Sequence, residues 1–186
     1  MSGGITLLIG GVRAGKSGRA LSLAESHAAG GKVVFVATAQ AFDDEMRRRI
    51  DAHQRERAAK GWVTLESPIH VAEDLAACLS ESANVAVVIV DCLTLWVSNV
   101  LLTLPDDADA ETLIARVAER LLRVLAALRD RGVRVILVTN EVGLGIVPAT
   151  SLGRRYRDAL GRVNQLAAAT SDETILMVAG LELRLK

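Results

Sequence analysis

Aromatic side chains are scarce in this chain: two Trp, two Phe and one Tyr, 3% of 186 residues. The core must therefore be packed from Val, Leu, Ile and Ala, which dominate the 51% apolar fraction. Net charge is also lacking, because 22 basic residues balance 22 acidic ones. General binding to nucleic acid or to an anionic membrane surface needs a field of one sign, so neither partner is expected. Cysteine is limited to Cys78 and Cys92, which have no metal-ligand spacing and make no disulfide framework. A reducing, cytoplasmic setting follows. The longest purely apolar run, Val85 to Val90, has six residues, against the about twenty that a membrane-spanning helix needs. No basic segment precedes a long apolar run at the N-terminus, so no signal peptide is expected. With no repeat, low-complexity tract or linker, residues 1–186 read as one domain, long enough to bury a core.

What the chain does have is the stretch Gly10-Gly11-Val12-Arg13-Ala14-Gly15-Lys16-Ser17. It fits the phosphate-binding pattern G-x-x-x-x-G-K-[ST], in which glycines let the backbone fold around a phosphate and successive N–H groups face it. The context is the one this loop requires: an apolar strand-like run, Ile5–Ile9, before it and a helical stretch, Lys16–Ala29, after it. Lys16 would neutralise β- and γ-phosphate charge, and the Ser17 hydroxyl would ligate Mg²⁺. A bound nucleoside triphosphate is the direct implication.

The rest of the chain alternates apolar runs with amphipathic ones. Strands are expected at 33–37, 62–66, 85–90 and 133–138, and a closing hairpin at 174–178 and 181–185. Helices are expected from Asp43 or Asp44 to Lys60, from Pro68 through Val71 to Ser80, over 93–104 and 111–130, and from about Leu152 to Ala169. Strands without polar alternation, separated by helices, make a parallel sheet covered on both faces: a three-layer α/β fold with an antiparallel edge. In such sheets ligands bind beyond the carboxyl ends of the strands. Those ends are the Gly10 loop, Thr38-Ala39-Gln40, Glu66, Asp91 and Asn140-Glu141.

Asp91, at the end of the most apolar strand, is placed to hold Mg²⁺ opposite the loop; as a helix N-cap it would serve local structure instead. His53 shares a stripe with Met46, Ile50 and Arg57 on the 43–60 helix, where a histidine is ordinarily a core residue. Yet that helix springs from the second strand tip and carries Arg47, Arg48, Arg49, Arg55 and Arg57, which could hold phosphate oxygens. The bland alternative is a solvated face paired with Glu45, Asp51 and Glu56. A neutral imidazole beside a triphosphate can act as base or nucleophile. His27 and His70 receive no role, and Trp62 and Trp96 read as packing residues.

Taken with Val36-Ala37-Thr38-Ala39, Asp44-Glu45-Met46, Arg49-Ile50 with His53, Trp62–Glu66, Asp91–Asn99, Thr139–Pro148 and Gly161–Gln165, the loop resembles one family along almost the whole chain. It is the bifunctional adenosylcobinamide kinase / adenosylcobinamide-phosphate guanylyltransferase family of cobalamin biosynthesis. The resemblance implies a RecA-like P-loop fold and, in some members, a trimer. It implies phosphorylation of adenosylcobinamide by ATP or GTP, then transfer of GMP from GTP to adenosylcobinamide phosphate through a guanylylated histidine, His53. Nucleotide contacts carry over to the 10–17 loop, Ala37, Thr38, Ala39, Gln54, Arg55, Glu56, Arg57, Glu66 and Asp91. Where some members have His before the nucleophile, this chain has Ala52. The corrinoid is expected at the Asn140–Pro148 loop, with Arg154, Arg157 and Asn164.

Three rivals share the loop. A simple P-loop kinase would transfer only the γ-phosphate and leave His53 structural. A GTP switch would show Asn-Lys-x-Asp after a strand, where this chain has Asn140-Glu141-Val142-Gly143. A RecA-like motor would need a DNA track that the neutral charge does not provide.

Overall fold

The computed structural model describes residues 3–41, 48, 54, 55, 57 and 59–186. Among them the aliphatic runs form seven strands: β1 (Gly4–Gly10), β2 (Lys32–Ala37), β3 (Val63–Glu66), β4 (Val85–Asp91), β5 (Arg134–Asn140), β6 (Glu173–Val178) and β7 (Leu181–Arg184). They make one sheet in the order β3-β2-β4-β5-β1-β6-β7. Every pairing is parallel except β6 with β7. The helices are α1 (Lys16–Ala28), α2 (Val71–Glu81), α3 (Leu93–Leu101), α4 (Ala110–Asp130) and α5 (Ser151–Thr170).

Successive strand residues face opposite sides, so β1, β2, β4 and β5 each feed two cores. Leu8, Val33, Phe35, Val87, Ile89, Ile136 and Val138 pack with Ala20 and Ala24 of α1. Leu7, Val34, Val36, Val88, Val90, Val135 and Leu137 pack with the helices of the other face, through Leu75, Trp96, Ile114, Leu121 and Val163. Each fully buried aliphatic side chain contributes roughly 1.5–3 kcal/mol. A register slip by one residue would exchange the two sets, so the register is strongly held. The three-layer arrangement expected from the sequence is the one observed.

Several boundaries moved for local reasons. The helix expected to reach residue 104 ends at Leu101, where Thr103 and Leu104 donate their N–H groups to Val100 and Leu101 in tight turns ahead of Pro105. Val133 is not in β5, because its N–H closes the end of α4 on Leu128 O. Trp62 precedes β3, its N–H donating to Arg57 O. In the 43–60 segment, residues 48, 54, 55, 57 and 59 are helical. The expected cap at Asp43 or Asp44, Met46, Arg47, Arg49, Ile50, His53 and Glu56 lie outside the described residues.

Candidate active site

The alternation that sorts the core also sorts the strand tips. Continuing it by one or two residues puts Ala37, Glu66, Asp91 and Asn140 on the α1 face. In register, Glu66 lies beside Ala37, Ala37 beside Asp91, and Asn140 beside Gly10. Between β4 and β5 the line steps, because Asp91 lies beside Val138 and Asn140 stands two residues further on; four parallel strands thus deliver their polar or small ends to the side of the sheet where the Gly10–Ser17 loop turns into α1.

The loop itself depends on glycine. Gly10 has φ 155°, and a Cβ there would stand 2.2 Å from Met177 O, so no larger residue lets β1 lie this close to β6. Gly15 has φ 96° and occupies the N-cap of α1 without offering it a side-chain hydrogen bond. The first N–H groups of α1 therefore have no capping side chain and remain available to an anion. The β6–β7 turn supports the loop from behind, where Gly180 N–H donates to Ala14 O at 3.1 Å. The Nε of Arg19 lies 2.7 Å from Glu182 Oε1 of β7, and Arg19 Nη2 donates to Glu182 Oε2 at 3.2 Å.

Lys16 is 8% exposed, and its ammonium donates to Gly10 O at 3.0 Å and Gly11 O at 2.6 Å. Desolvation lowers its pKa, while Cys92 and Asp91 act in the opposite direction. The cation therefore sits at the Gly10 end of the loop within electrostatic reach of Asp91. The Ser17 hydroxyl is exposed and takes no hydrogen bond from the described residues. One free hydroxyl and one carboxylate, with phosphate oxygens completing the shell, are the hard donors Mg²⁺ accepts, so the residues present fit that ion. No group of three or more His, Cys, Asp or Glu stands together among the described residues.

Asp91 joins Cys92 through a cis peptide bond. Cys92 caps α3, its Sγ accepting from Leu95 N–H at 3.5 Å. Burial, then the neighbouring Asp91, pushes its thiol up to about 11, which keeps it protonated and unreactive at neutral pH.

Other expected contacts have structural duties. Thr38 is fully buried: its hydroxyl donates to Cys92 O at 2.7 Å and accepts from Cys92 N–H at 2.8 Å. Asn99 Nδ2 donates to Thr38 O and Pro68 O. Thr38 therefore ties the β2 tip to the β4 tip, while Ala37 and Ala39 on either side of it are half-buried. Arg57 is 6% exposed; its guanidinium lies 4.1 Å from the Phe35 ring centroid and its Nε donates to Thr64 Oγ1 at 3.2 Å. Both partners are one pleat below the tips, so Arg57 pins its helical stretch to the sheet. Gln54 reaches the row directly, with Nε2 donating to Glu66 Oε1, and Arg55 is exposed.

The corrinoid-side expectation needs correction at Asn164. It is 7% exposed and both ends of its amide are used internally: Oδ1 accepts from Thr139 Oγ1 at 2.8 Å and Nδ2 donates to Asn140 O at 3.0 Å. Arg154 donates to Pro148 O and Ala149 O, and Arg157 lies beside Asp158. The loop after Asn140 does expose apolar surface, with Leu144, Ile146 and Val147 at 89%, 96% and 61%. Sequence reasoning missed Thr94, whose Oγ1 accepts from Asn140 N–H at 2.7 Å. A threonine 46 residues away in the chain gives no local signal of that role.

A family described as cobinamide kinase / cobinamide phosphate guanyltransferase matches residues 6–185. The chain is 43% identical over 181 residues to the bifunctional adenosylcobalamin biosynthesis protein CobP of Pseudomonas aeruginosa, covering 97% of this chain and 96% of that protein. It is 36% identical over 185 residues to the bifunctional adenosylcobalamin biosynthesis protein CobU of Escherichia coli, covering 97% and 98%. Among solved structures it superposes on the RadB recombinase with TM-score 0.55, at 17% identity, over 94% of this chain and 74% of that one. The flagellar accessory protein FlaH of Methanocaldococcus jannaschii gives TM-score 0.59 at 13% identity, over 100% and 79%. At these identities the two structures speak to the fold alone.

Proposed function

The chain belongs to the cobinamide kinase / cobinamide phosphate guanyltransferase family, and we propose that it runs both reactions on one triphosphate site. It phosphorylates the hydroxyl of adenosylcobinamide with ATP or GTP. It then moves GMP from GTP to adenosylcobinamide phosphate. The observation that carries this reading is that Glu66, Ala37 and Asp91 stand side by side, with Asn140 two residues further along β5, all on the sheet face where Lys16 and the α1 N-terminus lie. They make a long polar shelf, with a phosphate cradle at one end and the Gln54–Glu66 pair at the other.

For the second reaction an imidazole nitrogen of His53 attacks the α-phosphorus of GTP. The N–P bond forms, the bond to the bridging oxygen breaks, and pyrophosphate leaves. A phosphate oxygen of the corrinoid then attacks the same phosphorus and releases the histidine. Two anions that repel each other thus never have to react directly. Lys16 and the N–H groups of the loop spread the leaving-group charge. Ser17 and Asp91 hold Mg²⁺, which supplies further positive charge at the phosphates when bound. The base and ribose lie toward Ala37, Ala39, Gln54, Arg55, Glu56 and Glu66. The protein acts in the cytoplasm, binds no nucleic acid, and assembles as a homotrimer; no helix of the described residues is long and apolar enough to cross a membrane.

The test is covalent labelling. With Mg²⁺ and GTP labelled at the α-phosphate, the denatured protein carries acid-labile, alkali-stable label, and His53→Asn abolishes it. A single-function kinase or a GTP switch gives no label. Normal labelling of His53→Asn would move the nucleophile elsewhere.

A further inference from the structure

The shelf contains one polar side chain that the proposed chemistry has not used. Asn140 is the last residue of β5, the strand lying between the Gly10 strand and the Asp91 strand. Its backbone is fixed at both ends by buried side chains: Thr94 Oγ1 accepts from its N–H, and Asn164 Nδ2 donates to its carbonyl. Thr139 Oγ1 donates a hydrogen bond to Asn164 Oδ1 and lies 3.4 Å from Thr94 Oγ1, which closes the set. Thr94, Thr139 and Asn164 are 6%, 0% and 7% exposed. Yet the Asn140 carboxamide, half-buried and on the α1 face, makes no hydrogen bond with the described residues. Three buried polar groups therefore fix the place of one amide that stays open to solvent and has no protein partner among the described residues, so it is positioned and free to meet a ligand.

The register says which part of the ligand. Asn140 pairs with Gly10, whose carbonyl carries the Lys16 ammonium, so the amide lies at the phosphate end of the shelf. We propose that Asn140 is a further catalytic residue: its carboxamide contacts the transferring γ-phosphoryl group, held in place by Thr94, Thr139 and Asn164. The inference rests on the kinase half of the proposed function. In that step the corrinoid hydroxyl oxygen bonds to the γ-phosphorus. The bond to the β-bridging oxygen breaks, its electron pair leaves with the nucleoside diphosphate, and the hydroxyl proton passes to water. A neutral amide donates an N–H to a γ-oxygen without adding negative charge; a carboxylate in its place repels it.

The experiment uses the full chain, adenosylcobinamide and each nucleoside triphosphate, comparing wild type with Asn140→Ala and Asn140→Asp. Rates of corrinoid phosphorylation, KM for nucleotide, α-phosphate labelling and thermal midpoint are recorded. Asn140→Ala is expected to lower kinase kcat about 100-fold, with KM for nucleotide within about threefold and the midpoint unchanged. Asn140→Asp should lower kcat at least as far and also weaken nucleotide binding. A kcat within threefold of wild type for Asn140→Ala, or a loss that only follows a fallen midpoint, overturns the assignment. Wild-type protein that fails to phosphorylate the corrinoid overturns the kinase reading itself, and no Asn140 variant can imitate that result.

Discussion

The two sides of Gly10 are built by opposite means. On one side, eight contiguous residues make the proposed phosphate cradle out of backbone, with Gly10 and Gly15 in conformations and close contacts that only glycine tolerates. On the other, the Asn140 tip is fixed by side chains from α3, β5 and α5, separated by 24 and 46 residues in the chain. The first device is local and leaves a spaced pattern in the sequence. The second exists only once the sheet has brought distant residues together, and threonine and asparagine carry no mark of it beforehand. The variants below test whether the two devices are as separable as their construction suggests.

The largest effect belongs to the cradle. Lys16→Ala is expected to lower both reactions about a thousand-fold, because one ammonium serves the γ-phosphate in one step and pyrophosphate in the other. Its titration gives a finer test. Burial lowers the pKa of Lys16 in the free protein, so the ammonium loses its proton below the ordinary lysine range. Bound phosphates favour the charged form and raise that pKa. Binding therefore takes up protons at alkaline pH, and nucleotide affinity falls as pH rises through the lowered value. Calorimetry in buffers of different ionisation enthalpy reads the uptake directly. Uptake that persists in Lys16→Ala would assign it to another group.

Asn164→Leu tests the side-chain device at intermediate cost. It keeps the branched outline in a somewhat larger side chain but removes the partners of the Thr139 hydroxyl and the Asn140 carbonyl, and loss of about 2–3 kcal/mol of stability follows. Denaturant unfolding measures it. If the two sides are separable, nucleotide KM stays near wild type while kinase kcat falls about tenfold through the loosened tip. A matching rise in KM would show that β5 shapes the cradle as well.

The same contrast explains what the sequence disclosed. Aliphatic runs announced the strands, glycines and a charged loop announced the helix ends, and elements fell within a few residues of expectation. The Gly10–Ser17 loop was legible because the residues that set its backbone shape are contiguous. Thr38, Arg57 and Asn164 were legible only as polar residues near the tips. Whether each touches a ligand or another strand depends on its side of the pleat and its cross-sheet neighbour. Thr38 falls on the face opposite α1 and ties two strands. Arg57 falls on the α1 face, but one pleat too low, against Phe35. Period-two counting could have separated these cases only with the strand order in hand.

The smallest effect lies behind the cradle, at Glu182. Arg19 stands in the first turn of α1, where a cation opposes the helix dipole, and Glu182 offsets it from β7. The pair is 32% and 40% exposed, so it contributes no more than about 1 kcal/mol and is screened by salt. Glu182→Gln is therefore expected to lower the thermal midpoint by about 1–3 °C at low salt and by less at high salt. Nucleotide affinity should stay within about threefold, because Gly180 N–H on Ala14 O and the close packing of Gly10 on Met177 still hold the loop. Should affinity drop tenfold instead, a surface charge would be shaping the cradle, and its description as a backbone device would no longer stand.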